Sequence, residues 1–216
     1  MALCILVLVA ILCASSASAH AQNNATIFRV PKPAPSQGDW RDASAIDACL
    51  DSLDGALDGA YDATFTGRGT HVFVLDSGCL PTHISFRNVN ITLGPSFVSG
   101  APTSLDDFGH GTLVASIIAR ASPNVHIECV KVFDANGNGF VAYVEDAMAY
   151  VKQRCASTEL RCIVNFSGVS STSSGALNDA AAQLTSVAAV VVAAGNSQAN
   201  ACNFSPAGEA SVLTVA

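Results

Sequence analysis

The sequence predicts an α/β domain built on a mostly parallel sheet with helices on both faces. From Thr70 onward, short apolar runs alternate with stretches of helical periodicity. The run at 188–194 is apolar without interruption, as expected of a parallel strand buried on both faces. Half of the 216 residues (50%) are hydrophobic and only 12% are charged, which fits one globular domain with a sizeable core.

The elements alternate in chain order. Apolar runs predict strands at 71–75, 126–133, 162–166, 188–194 and 211–216. Apolar residues at three- and four-residue spacing predict helices at 112–120, 140–155 and 176–187. A turn is predicted at 134–139, where the sequence is Asp-Ala-Asn-Gly-Asn-Gly. The last strand runs to the final residue, so we expect a sheet that is incomplete at the C-terminus.

The N-terminus predicts export. Residues 1–13 are apolar, and Ala17-Ser18-Ala19 forms a small-residue cleavage pattern, so residues 1–19 are interpreted as a secretory signal peptide. A membrane anchor is the competing interpretation, but the apolar run is shorter than the ~18 residues of a spanning helix. We therefore expect a secreted, extracellular protein that is free of the membrane after signal removal.

The rest of the chain divides into two parts. Residues 20–38 are polar and contain three prolines, which predicts an exposed leader with little structure of its own. Residues 39–216 are predicted to form the folded domain. The formal net charge is −7 without long charge runs, so nucleic acid is not an expected partner.

Cysteines and glycosylation acceptors fit an exported protein. Eight cysteines are present, and six remain once Cys4 and Cys13 leave with the signal. Cys155 and Cys162 flank a short helix-to-strand connection and are the expected local disulfide; Cys129 is equally consistent with a buried thiol. Asn-X-Ser/Thr acceptors, which would carry glycans where exposed, occur at Asn24, Asn90, Asn165 and Asn203.

Three polar residues lie directly after a predicted strand or directly before a predicted helix. In a parallel sheet, the loops at such positions converge on one crevice. Asp76 follows the strand 71–75, His110 lies just before the helix predicted at 112–120, and Asn196 follows the strand 188–194. Taken singly, each has a structural explanation: a turn aspartate, a helix-capping histidine and a turn asparagine.

Their flanks and order are more specific. Asp76 in Val-Leu-Asp-Ser-Gly, His110 in Gly-His-Gly-Thr and Asn196 in Ala-Ala-Gly-Asn resemble three signature blocks of the subtilisin family of serine proteases (peptidase family S8). The resemblance runs from about Trp40 to Ala216. The segment 203–207, Asn-Phe-Ser-Pro-Ala, is similar to the proteinase K branch.

The resemblance implies a three-layer subtilisin-like fold and a triad mechanism, for which subtilisin is a general template. Asp76 would orient His110, which would move the proton between a serine and the leaving amine. Asn196 would donate a hydrogen bond to the oxyanion. An extended peptide would add to the edge at Ser167 and Gly168.

The resemblance also implies that Ala193, Ala194 and Gly195 line the primary specificity pocket. No cofactor is required. Structural calcium is an expectation at the backbone carbonyls of Ala210 and Val212. The implied partners are polypeptide substrates, and the implied state is a monomer.

Two departures from the family qualify these expectations. The Gly-Thr-Ser-Met-Ala block that carries the nucleophile is absent, so we expect a C-terminally truncated chain that is inactive by itself. Residues 168–170 are Gly-Val-Ser instead of Leu-Gly-Gly. The alternative is an inert subtilisin-fold protein that binds peptides or a protease. A nucleotide-binding module is disfavoured, because no Gly-rich phosphate loop follows the first strand.

Overall fold

The computed structural model describes residues 27–29, 66–157, 159 and 161–216, and its centre is a six-stranded parallel sheet. The strand order is β3-β4-β2-β6-β7-β8. These strands are β2 (Thr70–Asp76), β3 (Asn90–Ser96), β4 (His126–Lys131), β6 (Arg161–Phe166), β7 (Ala188–Ala193) and β8 (Leu213–Val215). The parallel register pairs Asp76 with Lys131 and Leu75 with Phe166, so the carboxyl ends of β2, β4 and β6 lie at one edge of the sheet.

Helices cover both faces of this sheet. They are α1 (His110–Ala121), α2 (Val141–Ala156) and α3 (Gly175–Leu184). Alternate residues of a strand point to opposite faces, so Val72 and Val74 pack with α1 whereas Phe73 and Leu75 pack with α2 and α3. The predicted α/β class with a mostly parallel sheet is therefore confirmed.

A second, two-stranded sheet differs from the sequence prediction. β1 (Ile27–Arg29) pairs antiparallel with β5 (Asn138–Phe140), with Phe28 opposite Gly139. Residues 27–29 of the predicted leader thus form a short strand against β5, and the predicted turn at 134–139 runs into that partner strand. A three-residue strand is too short to show a periodicity in the sequence. Its stability comes from the partner strand.

Other boundaries shift by a few residues. The predicted helix at 112–120 begins two residues earlier, so that His110 is its first residue. β3 was not predicted; it is an edge strand with no fully buried side chain and contains Gly94 and Pro95, which weaken a strand signal. The signal peptide, Asn24 and residues 30–65 lie outside the described residues.

Two disulfides tie the layers together. Cys155–Cys162 joins the end of α2 to β6, as the sequence predicted. Cys79–Cys129 joins the turn after β2 to β4, so the interpretation of Cys129 as a buried thiol is wrong. The second bridge closes a sequence separation of 50 against 7 for the first, and a longer closed loop removes more conformational entropy from the unfolded chain. Within the described residues, no helix is both long and apolar enough to cross a bilayer.

A buried polar cluster lies at the amino ends of β2 and β4. The His71 ring stacks on the His126 ring with centroids 4.1 Å apart, and His71 Nε2 lies 3.1 Å from Glu128 Oε2. From α2, the Tyr150 hydroxyl donates to Glu128 Oε1 at 2.5 Å, and Arg154 lies 3.6 Å from Oε2. Glu128 is 4% exposed, so these contacts compensate the loss of its water.

The cluster makes the fold sensitive to acid. Burial alone would raise the pKa of Glu128, but the contacts with His71, Tyr150 and Arg154 outweigh it and hold the pKa below its ordinary value. Burial and the neighbouring His71 lower the pKa of His126. Both groups therefore favour the folded state at neutral pH, and both contributions are lost as the pH falls. Burial and the Glu128 contact raise the pKa of Tyr150 to about 12.

We expect Glu128→Gln to lower the free energy of unfolding at pH 7 by about 1–3 kcal/mol, because the amide keeps the shape but loses the charge-assisted hydrogen bonds. The deficit should shrink as the pH falls from 4.5, where the unfolded wild-type chain takes up a proton at Glu128, through the lowered pKa of Glu128 in the folded protein. Urea unfolding at pH 7, 5 and 3 measures both effects. Glu159→Gln, at an exposed site, is the matched control, and equal unfolding midpoints for both variants at pH 7 would contradict the assignment.

Candidate active site

The structure brings Asp76 and His110 into direct contact. Asp76 is the last residue of β2 and His110 is the first of α1. His110 Nδ1 lies 2.9 Å from both Asp76 Oδ1 and Oδ2. Asp76 is fully buried and His110 is 5% exposed, so the contact is shielded from bulk water.

Backbone groups hold the aspartate in place. The Ser77 amide donates to Asp76 Oδ1 at 2.7 Å, which gives the carboxylate a second donor. The amides of Val132 and Phe133 donate to the Asp76 carbonyl at 2.7 and 3.2 Å. The end of β2 is therefore fixed against the chain that leaves β4.

The electrostatics of the pair favour a charged imidazole. Burial would lower the pKa of His110, but the Asp76 carboxylate, through its charge and its hydrogen bond, and the charge of Asp106 outweigh that effect and raise the pKa above 6.5. With Nδ1 engaged by Asp76, Nε2 is the ring atom that can accept and return a proton. This arrangement is suited to general acid and base chemistry.

The other predicted site residues lie at neighbouring strand ends. Asn196 is exposed beyond the end of β7 and is not hydrogen-bonded to Asp76 or His110. Ala193 ends β7 and is 7% exposed. The Ala194 amide donates to the Val215 carbonyl at 2.7 Å, and Gly195 has a φ of +89°, so the chain turns sharply there.

The segment after β6 lies between aromatic side chains. Ser167 Oγ accepts a hydrogen bond from Asn165 Nδ2 at 2.9 Å. Gly168 is buried, and a Cβ placed on it would lie 2.7 Å from Phe133 and 2.8 Å from Phe166. A larger residue at this position would require the Phe133 and Phe166 rings to shift.

A calcium site is not formed by the side chains near its expected position. Glu209, in the turn that contains Ala210 and Val212, accepts hydrogen bonds from the amide and hydroxyl of Ser211. Across residues 66–157 and 161–216, no group of three His, Cys, Asp or Glu side chains is arranged to hold a metal.

Two supporting residues were missed in the sequence. Lys131 is 1% exposed; its ammonium donates to the Ser77 carbonyl at 2.7 Å and pairs with Asp107 Oδ1 at 2.5 Å. The signal was a lysine inside an apolar strand, which indicates a paired charge. Asp106, four residues before His110, bonds to both segments of the site, but its partners come from loops that sequence periodicity does not describe.

Comparison with known proteins gives one family. The subtilase family (peptidase S8) matches residues 67–216. "Subtilisin-like protease 3" of Pseudogymnoascus destructans is 35% identical over 162 residues, covering 72% of this chain and 39% of the relative. "Cuticle-degrading serine protease" of Arthrobotrys oligospora is 35% identical over 164 residues, covering 72% and 39%. The chain therefore spans about two fifths of the length of these relatives.

A solved structure agrees with the sequence comparisons. A cold-adapted subtilisin-like serine proteinase superposes with a TM-score of 0.67 at 33% identity, over 73% of this chain and 57% of the other. The topology described above is therefore that of the family whose sequence it matches.

We expect Asp76→Asn to reverse the direction of the His110 pKa shift. Without the carboxylate charge, burial dominates, and His110 should titrate below 6.5 instead of above it. In the wild-type protein, the stability contributed by the charged imidazole is present below pH 6.5 and is lost as the pH rises through the folded pKa. NMR titration of the histidine side chains measures both midpoints. Asp146→Asn, exposed on α2, is the charge-matched control, and an unchanged His110 midpoint in Asp76→Asn would refute the pairing.

Proposed function

Because this chain belongs to the subtilase family, we propose that it supplies the aspartate and histidine of a serine-type endopeptidase (EC 3.4.21), acting through an Asp-His-Ser triad. The observation that carries the proposal is the buried contact of His110 Nδ1 with both Asp76 carboxylate oxygens at 2.9 Å. Family membership and this geometry point to the same chemistry.

The geometry fits the roles that such a triad requires. Asp76 holds the imidazole by Nδ1 and stabilises its cation. His110 Nε2 takes the proton from a serine hydroxyl as the oxygen attacks the peptide carbonyl carbon, and then donates a proton to the leaving amine. The raised pKa of His110 assists retention of the proton between the two steps.

The neighbouring strand ends would supply binding. We assign Asn196 to the oxyanion hole, which suits an exposed side-chain amide beyond β7. Ser167 and Gly168 would pair with an extended peptide, and Ala193, Ala194 and Gly195 would line the specificity pocket.

The nucleophile is proposed to lie outside this chain. The serines near the site have other partners: Ser77 Oγ donates to Asp106 at 2.8 Å, and Ser205 Oγ donates to the Ser174 carbonyl at 3.1 Å. Those bonds support structural roles. Under this proposal the polypeptide 1–216 is inactive by itself, because it contains the Asp-His pair without the nucleophilic serine.

Further proposals concern the whole protein. We propose that residues 1–19 are a signal peptide, that 20–38 form a leader and that 39–216 belong to the peptidase domain. The protein would be secreted, act on polypeptides as a monomer and need no catalytic cofactor. The paired cysteines Cys79–Cys129 and Cys155–Cys162 suit an oxidising compartment.

Labelling with a fluorophosphonate probe tests the peptidase proposal. The full-length gene product should be labelled, whereas His110→Ala should lose the label because its serine is no longer activated. His83→Ala, in the turn before β3, is the matched histidine control and should be labelled. A folded full-length protein that takes no label would instead support the inert, peptide-binding alternative.

Glycan analysis tests the secretory proposal. Asn90 and Asn203 are exposed, and we expect N-glycans there after expression in a eukaryotic secretory host. Asn165 is 1% exposed within the central sheet, where a glycan cannot be accommodated in the folded protein. Mass spectrometry before and after glycosidase treatment measures occupancy, with Asn90→Gln and Asn203→Gln as site controls. A glycan on Asn165 in the folded protein would contradict the described packing.

A further inference from the structure

The Asp106 carboxylate accepts five hydrogen bonds. Oδ1 accepts from the Ser77 hydroxyl at 2.8 Å and from the amides of Phe108 and Gly109 at 3.0 and 2.7 Å. Oδ2 accepts from the amide and hydroxyl of Thr112 at 2.9 and 2.5 Å. A carboxylate offers about four lone-pair sites, so both oxygens are saturated.

These donors belong to the two segments that carry the site. Ser77 follows Asp76, and Gly109 and Thr112 flank His110. The Ser77 hydroxyl completes the link, since it donates to Asp106 and accepts from the Gly111 amide at 2.9 Å. One chain of hydrogen bonds therefore runs from the neighbour of Asp76, through Asp106, to the residues on both sides of His110.

The backbone leaves little freedom around this link. A Cβ on Gly111 would lie 2.0 Å from the Gly78 carbonyl oxygen, and a Cβ on Gly78 would lie 2.2 Å from the Ser104 carbonyl oxygen. The Asp106 amide donates to the Cys79 carbonyl at 3.2 Å. The turn after β2, the segment before Asp106 and the start of α1 are thus in direct contact.

Asp106 also replaces a missing helix cap. The N-cap of α1 is Gly109, which has no side chain to accept from the first-turn amides. Asp106 and Ser77 accept from the amides of Thr112 and Gly111 instead. His110 is the first residue of this turn, so its position depends on these acceptors.

We propose that Asp106 is a positioning residue that holds the His110 imidazole on the Asp76 carboxylate by joining the turn after β2 to the first turn of α1. The inference rests on the proposed function for its effect on catalysis, but the positioning itself concerns only residues of this chain. The charge of Asp106 also contributes to the raised pKa of His110.

The variant Asp106→Asn separates this role from general stability. The asparagine side chain keeps the size of the carboxylate but replaces one oxygen by an NH2 group. That NH2 group is a donor, so it cannot accept the hydrogen bonds that Ser77, Gly109 or Thr112 donate at that position. In protein 1–216, NMR should show a lower titration midpoint for His110 and faster exchange of its Nδ1 proton. Asp146→Asn should leave both unchanged. A folded Asp106→Asn with the wild-type midpoint and proton exchange would overturn the proposal.

A second variant decides the case in which Asp106→Asn does not fold. Ser77→Ala removes the bridging hydroxyl but keeps the Asp106 charge, so we expect faster exchange of the His110 Nδ1 proton with a smaller change in midpoint. Exchange as slow as in the wild type would overturn the proposal. Where Asp106→Asn does fold, the effects of the two substitutions on exchange should be non-additive in a double-mutant cycle, because both break one link, and additive effects would count against the proposal.

Activity provides an independent test in the full-length protein. Asp106→Asn should lower kcat by about tenfold or more with little change in KM, since misplacement of a catalytic group by a fraction of an ångström has effects of this order. The acidic limb of the pH profile should move to lower pH, following His110. An inactive wild-type protein would refute the proposed function and leave the NMR test of positioning intact. An active wild-type protein with an equally active Asp106→Asn variant would refute the positioning role.

Discussion

The structure depends on the stabilisation of a carboxylate that has no exposed surface. The Asp76 carboxylate lies at the end of the central strand β2, where His110 Nδ1 and the Ser77 amide replace its water. Both partners are fixed by elements outside β2. The parallel register, the start of α1 and the turn at 77–79 must therefore all be in place for this one ion pair to form.

The apolar pattern of the sequence was sufficient to predict the core, and the resemblance of the segments around Asp76 and His110 to the subtilisin family implied their contact. Long apolar runs such as 71–75 and 188–194 have one solution in a buried parallel sheet, and such a sheet collects its carboxyl ends at one edge. β3 was missed because it is an edge strand with no fully buried side chain. β1 and β5 were missed because each has three residues and is defined by a partner far away in the chain.

The supporting residues of the site show where sequence patterns stop being informative. Asp106 and Lys131 act through donors and carbonyls of loops, and no periodicity describes a loop conformation. Asp106 accepts a hydrogen bond from Ser77, which lies 29 residues earlier in the chain. Only the folded topology brings these two residues together. The strand predicted before Asn196, at 188–194, ends one residue beyond β7 (Ala188–Ala193), and the proposed role of Asn196 depends on a substrate that approaches this edge.

Two histidines at opposite ends of the sheet have pKa values that are shifted in opposite directions. His110, at the carboxyl ends of the strands, has a raised pKa, whereas His126, at the amino ends, has a lowered one. In mild acid there is consequently an interval in which the first ring is cationic and the second is still neutral. For these two rings, positive charge is therefore present at the carboxyl ends of the strands before it is present at the amino ends, which changes the distribution of charge along the strand axis.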